Sequence, residues 1–179
     1  MAEPVPQWAF ERVTVIEPDP DWAGRAAELS EQLGGLLDRW LTTEVHHIGS
    51  TAVPGLAAKP ILDLMAGVTD LDQAPEIAVA LTGHGWHYVP PELDARPCRR
   101  HFVHVVGGHR HAHLHLMRPG TADWQRHLDF RDRLRADPAL RDAYAALKQR
   151  LATEHADDRE AYTEAKSAFI AGAIGWRSS

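Results

Sequence analysis

A Gly-Ser pair and one aspartate stand close together in the segment HHIGSTAVPGLAAKPILDLM, which runs from His46 to Met65. Gly49 and Ser50 follow a predicted strand, where free backbone N–H groups and a hydroxyl can bind a phosphate. Asp63 comes thirteen positions after Ser50 in a second, apolar strand. A buried carboxylate is costly unless it is paired or bound to a metal. This order suits a site in which the Gly-Ser pair holds phosphate and the aspartate holds Mg²⁺.

The alternative interpretation is that the same segment is only a tight turn between two buried strands. The segment resembles the outline of the nucleotidyltransferase fold, whose usual pattern has a second acid two residues after the first. In this sequence that position is Met65, which cannot bind a hard cation. Gly-Ser before a loop is also commonly only a turn. Lys59, on the loop between the two strands, is either a phosphate-binding cation or a solvated charge.

The chain has twelve histidines, and six of them lie between His101 and His115. In HRHAHLHLM the histidines alternate, so a strand would direct them all to one face. On the preceding strand His101 and His104 have opposite parity, so only one of them can share that face. Neutral imidazoles two residues apart can bind a transition metal, and Asp63 would complete a set of two histidines and one carboxylate. We therefore expect His113 and His115 at a metal site, whereas the residues nearer the turn, His109 and His111, suit an exposed polar face.

The last third of the chain carries polar pairs at helical spacing. Tyr144 and Lys148 are four residues apart, as are Tyr162 and Lys166, so each pair shares a helix face. With Arg131, the first pair could close a pocket for a phosphate or carboxylate. Surface or snorkelling side chains are the alternative.

The hydrophobic periodicity predicts an α+β fold: a mixed β-sheet core with a C-terminal helical cover. Asp19 or Asp21 is a candidate N-cap for the first helix. A Gly-Gly pair indicates a hairpin between two histidine-rich strands. The predicted strands cover residues 13–16, 44–49, 61–68, 86–90 and two runs within 99–117, and the predicted helices cover about 22–40, 71–82, 122–135, 139–154 and 158–174.

Composition narrows the functional classes. A net charge of −6 argues against a general nucleic-acid binder, which needs a basic face, although a local basic pocket remains possible. The single cysteine, Cys98, suits a reducing compartment. We see no signal peptide and no apolar run of about 20 residues, so we expect a cytoplasmic protein without a membrane span.

The sequence resembles the GrpB family over almost its whole length. The resemblance begins in VIEPDPDW and continues through HHIGSTAVPGLAAKPILDLM, RRHF, HAHLHL, HLDFRDRLRADPAL, YAALKQRLA and YTEAKSAFI. It implies a single GrpB-like domain over residues 1–179, with a nucleotidyltransferase-like core at about 13–118 and helices at about 121–175. A similar domain is fused behind dephospho-CoA kinase in some bacteria, which points to nucleotide or coenzyme chemistry.

The resemblance also implies a site and its ligands. We expect Asp63 and His115 to be catalytic, and Asp63, His113 and His115 to hold a divalent metal, Mg²⁺, Mn²⁺ or Zn²⁺. A nucleoside triphosphate is a possible second cofactor, and Met65 puts a two-Mg²⁺ mechanism in doubt. The partner is then a small molecule or nucleotide, and the function is either transfer of a nucleotidyl or phosphoryl group, or nucleotide-activated ligation. The alternatives are a non-catalytic module that binds a small anion or metal, and a histidine face that is simply a metal-binding or structural patch. The expected ligand-binding residues are Gly49, Ser50, Lys59, Arg131, Tyr144 and Lys148.

Overall fold

The computed structural model describes residues 6–12, 14–155 and 158–175, which form one mixed five-stranded sheet with helices on both faces. The sheet has the order β1-β2-β5-β4-β3. Its strands are β1 His46–Ile48, β2 Leu62–Gly67, β3 Trp86–Val89, β4 Arg99–Val106 and β5 His109–Met117. The helices are α1 Trp22–Leu37, α2 Ala74–Ala80, α3 Pro91–Asp94, α4 Ala122–Ala136, α5 Pro138–Glu154 and α6 Arg159–Ala173.

The sheet is antiparallel except at its centre, where β2 and β5 run parallel. The register of this parallel pair places Asp63 beside His113 and Met65 beside His115. β4 and β5 form a hairpin around Gly107 and Gly108, as the sequence predicted. Thus the central strand pair joins two segments that are 50 residues apart in the chain.

The apolar core lies on the face of the sheet that is covered by α1 and α2. Helix α1 forms because its apolar residues recur on one side: Trp22, Ala26, Leu29, Leu33 and Leu37 are all buried. They pack with alternate residues of the central strands, which point to the same face. Burying these leucines stabilises the fold by roughly 1.5–3 kcal/mol for each side chain.

The last three helices start at side-chain caps. Thr121, Asp137 and Asp158 each accept a hydrogen bond from the backbone N–H three residues later. Pro138 occupies the first turn of α5, where its missing N–H costs nothing. Helix α5 packs against the loop after β1, where Tyr144 contacts the buried Val53 and Leu56. None of the helices in the described ranges is long and apolar enough to cross a membrane.

The predicted α+β class, with a mixed sheet and a C-terminal helical cover, is confirmed, but several bounds differ. Val13 lies outside the described residues, and the remainder of the predicted first strand makes only an isolated bridge between Ile16 and Ala58. Pro18 and Pro20 follow at once and have no N–H to extend that pairing. Asp21 is the N-cap residue of α1, but its side chain makes no capping hydrogen bond. The predicted strand at 44–49 is shorter, the helix at 22–40 ends at Leu37, and the helix at 71–82 is a 3₁₀ turn, Leu71–Gln73, followed by α2.

Two glycines allow opposite effects on stability to be compared. Gly34 lies within α1 with nothing within 4 Å of an added methyl group, so Gly34→Ala should raise the free energy of unfolding by about 0.5–1 kcal/mol. A methyl group on Gly67 would lie 2.5 Å from the Pro119 ring and 2.8 Å from Thr43. Gly67→Ala should therefore lower the free energy of unfolding by roughly 1–3 kcal/mol. Urea denaturation measures both, and shifts of the same sign would contradict this packing.

Candidate functional site

Asp63 and two histidines meet on the sheet face opposite the α1 side. His113 Nδ1 donates to Asp63 Oδ1 at 3.0 Å, and His115 Nε2 lies 3.5 Å from the same oxygen. Burial raises the pKa of Asp63, but the hydrogen bonds from both histidines outweigh it and hold that pKa well below its usual value. The carboxylate is therefore charged at neutral pH. Its side chain is 32% exposed, which leaves it accessible to a ligand.

Arg99 determines which ring nitrogen of His115 carries the proton. Arg99 Nη1 lies 2.6 Å from His115 Nδ1, and two further nitrogens of Arg99 donate to Asp94 at 2.9 and 2.5 Å. Because a guanidinium only donates, His115 Nδ1 must accept. The neutral ring then carries its proton on Nε2, directed at Asp63. In this arrangement His115 acts as a hydrogen-bond donor to Asp63.

Two more histidines extend the cluster beyond the predicted set. The His101 ring lies 5.0 Å from that of His113 and 5.1 Å from that of His115, and His127 stacks on His115 at 5.9 Å. His101 Nδ1 has no hydrogen-bond partner among the described residues, and its nearest carboxylate oxygen, on Asp94, is 3.7 Å away. Burial is the main cause that lowers the pKa of His115 to about 3, that of His127 to about 4, and that of His101 well below its usual value. These imidazoles are therefore neutral at pH 7.

Gly49 leaves room for the Asp63 carboxylate. Its φ of +69° with ψ of −168° is a conformation that only glycine adopts readily, and an added Cβ would lie 2.6 Å from Asp63 Oδ2. Ser50 then begins a 3₁₀ turn, Ser50–Ala52. Burial raises the pKa of Tyr144 on α5, and the nearby Ser50 side chain lowers it by a smaller amount. The predicted Gly-Ser loop therefore does border the aspartate.

A cluster of lysines lies on the other side of Tyr144. Lys148 is buried, donates to the carbonyl of Ala57, and places Nζ 4.9 Å from the centre of the Tyr144 ring. Lys59 and Lys166 approach the ring of Tyr162 at 4.6 and 4.3 Å. Burial, followed by the charges of Lys166 and Lys59, lowers the pKa of Lys148 to about 7.

The sequence contains a signal for this lysine cluster that residue spacing alone does not reveal. Among 19 basic residues only three are lysines, and all three lie here. Arginine occupies every other basic position, including exposed ones such as Arg39 and Arg150. Lys166 was not among the predicted site residues. Its four-residue spacing from Tyr162 gave no indication that Lys59 would come close.

Arg131 and the outer histidines are placed differently from the inner set. Arg131 donates to the carbonyl of His47 at 3.1 Å and pairs with Asp132, so it ties α4 to β1 beside the Gly-Ser loop.

The prediction that all four histidines of β5 share one face is wrong, because the strand register shifts at His111. His111 is the extra residue on β5 at this shift, and its side chain faces His104. His109 instead contacts Glu11.

Fold and site together define an α+β protein with an Asp-His-His centre, a Gly-Ser loop and a lysine cluster. The model of the GrpB protein family matches residues 12–175, and the chain belongs to this family. It is 33% identical over 159 residues to the UPF0157 protein YqkA of Bacillus subtilis, covering 89% of this chain and 45% of that protein. A UPF0157 protein of Halalkalibacterium halodurans is 34% identical over 88% of this chain and 78% of its own length. The chain thus spans less than half of YqkA and most of the second relative.

Solved structures include a protein of the same family. The crystal structure of conserved protein GrpB from Enterococcus faecalis is 32% identical, with a TM-score of 0.80, and the match covers 90% of this chain and 95% of that one. A cytoplasmic RNA terminal U-transferase matches 79% of this chain and 44% of its own at 14% identity and a TM-score of 0.42. Among curated proteins, a dephospho-CoA kinase of Mycolicibacterium paratuberculosis is 29% identical over 88% of this chain and 44% of its own length.

Gly49→Ala should displace Asp63, because the added methyl group meets the carboxylate in a backbone conformation that already disfavours alanine. We expect a loss of roughly 2–4 kcal/mol in the free energy of unfolding. Gly120→Ala is the matched control, since Gly120 also has a positive φ, +76°, with nothing within 4 Å. Urea denaturation compares the two, and equal losses would contradict a steric role for Gly49.

Lys148 gives a pH dependence with a defined sign. Its pKa is lowered to about 7 in the fold, so between that pH and its ordinary value of 10.5 the unfolded chain binds more protons than the folded one. The free energy of unfolding should therefore rise with pH across this window. Lys148→Met should remove that rise, whereas Arg150→Met, an exposed change on the same helix, should keep it. Urea titrations at about pH 7 and about pH 9.5 measure the difference, and a rise retained in Lys148→Met would contradict the assignment.

Proposed function

We propose that this chain binds a nucleoside triphosphate with a divalent metal and transfers its nucleotidyl or phosphoryl group, or uses it to activate a small molecule for ligation. The observation that carries the proposal is the continuity of two charged clusters. Tyr144 lies close enough to Ser50 and Asp63 for both to act on its pKa, and Lys148 Nζ lies 4.9 Å from the centre of its ring. An acidic centre and a partly buried lysine cluster therefore lie on either side of one aromatic residue, an arrangement that suits a metal-bound polyphosphate. A cytoplasmic location, which the cysteine usage favours, is part of this proposal.

The donor atoms fit a metal that accepts imidazole. The candidate ligand atoms of Asp63, His113 and His115 all lie within 4.8 Å of one another. Two nitrogens and one carboxylate suit Zn²⁺ or Mn²⁺ better than Mg²⁺, which prefers oxygen. Met65 supplies no second acid. When bound, such an ion would neutralise the charge of phosphoryl oxygens.

A metal beside Asp63 requires both histidines to give up the N–H groups that they direct at the carboxylate. His113 Nδ1 does so if its proton moves to Nε2, whereas His115 is constrained by Arg99. For His115 Nε2 to bind a metal, the proton would have to sit on Nδ1, which now accepts from Arg99. In the ligand-free arrangement His115 therefore orients Asp63 and stabilises its charge. Movement of Arg99 is required before His115 can become a third ligand.

The lysine cluster suits an anion. Three lysines lie beside two aromatic rings, and the lowered pKa of Lys148 reflects its burial first and then the positive charges of Lys166 and Lys59. A phosphate placed here would relieve the repulsion and raise that pKa again. Ser50 and Tyr144 offer hydroxyl donors beside it. Lysine provides a compact point charge, which is adequate for phosphate without a fixed bidentate geometry.

Two observations favour the second candidate, a binding module without turnover. Met65 stands where the second acid of the nucleotidyltransferase pattern is expected, and Arg99 holds His115 away from the metal-binding tautomer. Both features lower the capacity for two-metal chemistry while leaving an anion site intact. Such a module would bind the ligand and release it unchanged.

Isothermal titration with a nucleoside triphosphate in the presence of Mn²⁺ or Zn²⁺ tests the proposal. Asp63→Asn, which keeps the shape but removes the charge, should abolish metal-dependent binding. Lys59→Met should weaken binding at the phosphate end by about tenfold or more, since it removes a charge-assisted contact. His87→Ala is the control because His87 is exposed on β3.

The outcomes separate the two candidates. Metal-dependent binding with release of pyrophosphate or inorganic phosphate, lost in Asp63→Asn, supports the enzyme. Binding without any product, measured by phosphorus NMR over hours, supports the module. No binding of a nucleoside triphosphate with Mg²⁺, Mn²⁺ or Zn²⁺ would contradict the enzyme.

A further inference from the structure

We propose that His104 and His111 form a second metal site, separate from the Asp63 centre, which takes a borderline transition-metal ion such as Zn²⁺ through two imidazole nitrogens. The two Nδ1 atoms lie 3.3 Å apart. Two nitrogens bound to Zn²⁺ at about 2.05 Å with a tetrahedral angle are separated by about 3.3–3.4 Å. The pair is thus already spaced for one ion.

A β-bulge brings the two histidines together. Val106 pairs with His109 and Val105 with Arg110, but His104 pairs with Ala112, so His111 is the extra residue on β5. Bulges of this kind redirect a side chain and are over-represented near functional sites. Without the bulge, His111 would have the parity of His113 and would face the Asp63 centre.

The ring of His104 is fixed in a ligand orientation. Its Nε2 lies 3.1 Å from the carbonyl oxygen of His84, and a carbonyl only accepts, so Nε2 carries the proton. The lone pair therefore stands on Nδ1, which faces His111. Metal-binding histidines almost always donate their other N–H to a carbonyl or carboxylate in this way.

Packing holds this orientation without a metal. The His104 ring lies 4.8 Å from the Trp86 ring, and a Cβ on Gly85 would come within 3.1 Å of His104 Nε2. In the free protein His111 Nδ1–H donates to His104 Nδ1. For a metal to bind between the two Nδ1 atoms, the proton of His111 would move from Nδ1 to Nε2 of the same ring.

The surroundings leave the site open on one side. His104 and His111 are both partly exposed, so solvent can complete the coordination. Arg25 is the nearby cation that opposes a metal at His111, but its charge is paired with Asp19. Hard cations such as Mg²⁺ do not suit two imidazoles.

The test is titration of Zn²⁺ into protein stripped of metal, by calorimetry. To separate this site from the Asp63 centre, the starting protein carries Asp63→Asn and His113→Ala. We expect one Zn²⁺ bound per chain, with affinity reduced at least about tenfold by His104→Ala or by His111→Ala. Mg²⁺ should give no heat of binding.

Two glycines of the turn before β3 provide a further test variant and its control. Gly85→Ala should press on the His104 ring and weaken Zn²⁺ binding, whereas Gly83→Ala should not, because nothing lies within 4 Å of its methyl group. Both have positive φ, so the backbone strain is comparable. Zn²⁺ binding that is absent, or that is unchanged by His104→Ala and His111→Ala, would overturn the proposal. Neither result bears on nucleotide binding at Asp63.

Discussion

The charge of Asp63 is the constraint around which this face of the sheet is arranged. A carboxylate between Leu62 and Leu64 on a central strand would cost several kcal/mol if it were left unpaired. The parallel pairing of β2 with β5 removes that cost by placing His113 beside it, with His115 one step further along the same face. Glycine at position 49 is the complementary requirement, because any side chain there would occupy the space of the second carboxylate oxygen.

The outer contacts of the site follow from the same charge. Asp94 holds Arg99, Arg99 fixes the tautomer of His115, and His115 directs its N–H to Asp63. Along this series of contacts each donor meets an acceptor: Arg99 donates to Asp94 and to His115 Nδ1, and His115 directs its Nε2–H at Asp63. The lysine cluster contrasts with it, because like charges are concentrated there around Tyr162 in a protein of net charge −6. Complementary pairing at the Asp63 end and a concentration of positive charge at the other end are the features on which the proposal of a bound anion rests.

The sequence predicted those parts of the site that depend on local pattern. The alternation in HAHLHL and the position of Asp63 between two leucines predicted that His113 and His115 lie at the aspartate, and the helix predicted at 139–154 is α5. Contacts that depend on register were not predictable. A two-residue turn at Gly107-Gly108 would place His101 opposite Leu114, and only the bulge at His111 moves it opposite His115. The same bulge removed His111 from the predicted face.

Long-range contacts of charged residues were the other omission. Arg99 carries no local signal of His115, and Lys59 carries none of Tyr162, since both contacts depend on tertiary packing. The most direct measurement of the central claim is native mass spectrometry of the protein taken straight from cells, compared with Asp63→Asn. A bound metal or phosphate-bearing small molecule that is present in the wild type and lost in the variant is the expected result. A wild-type chain that carries neither, or a ligand retained equally by Asp63→Asn, would contradict the account.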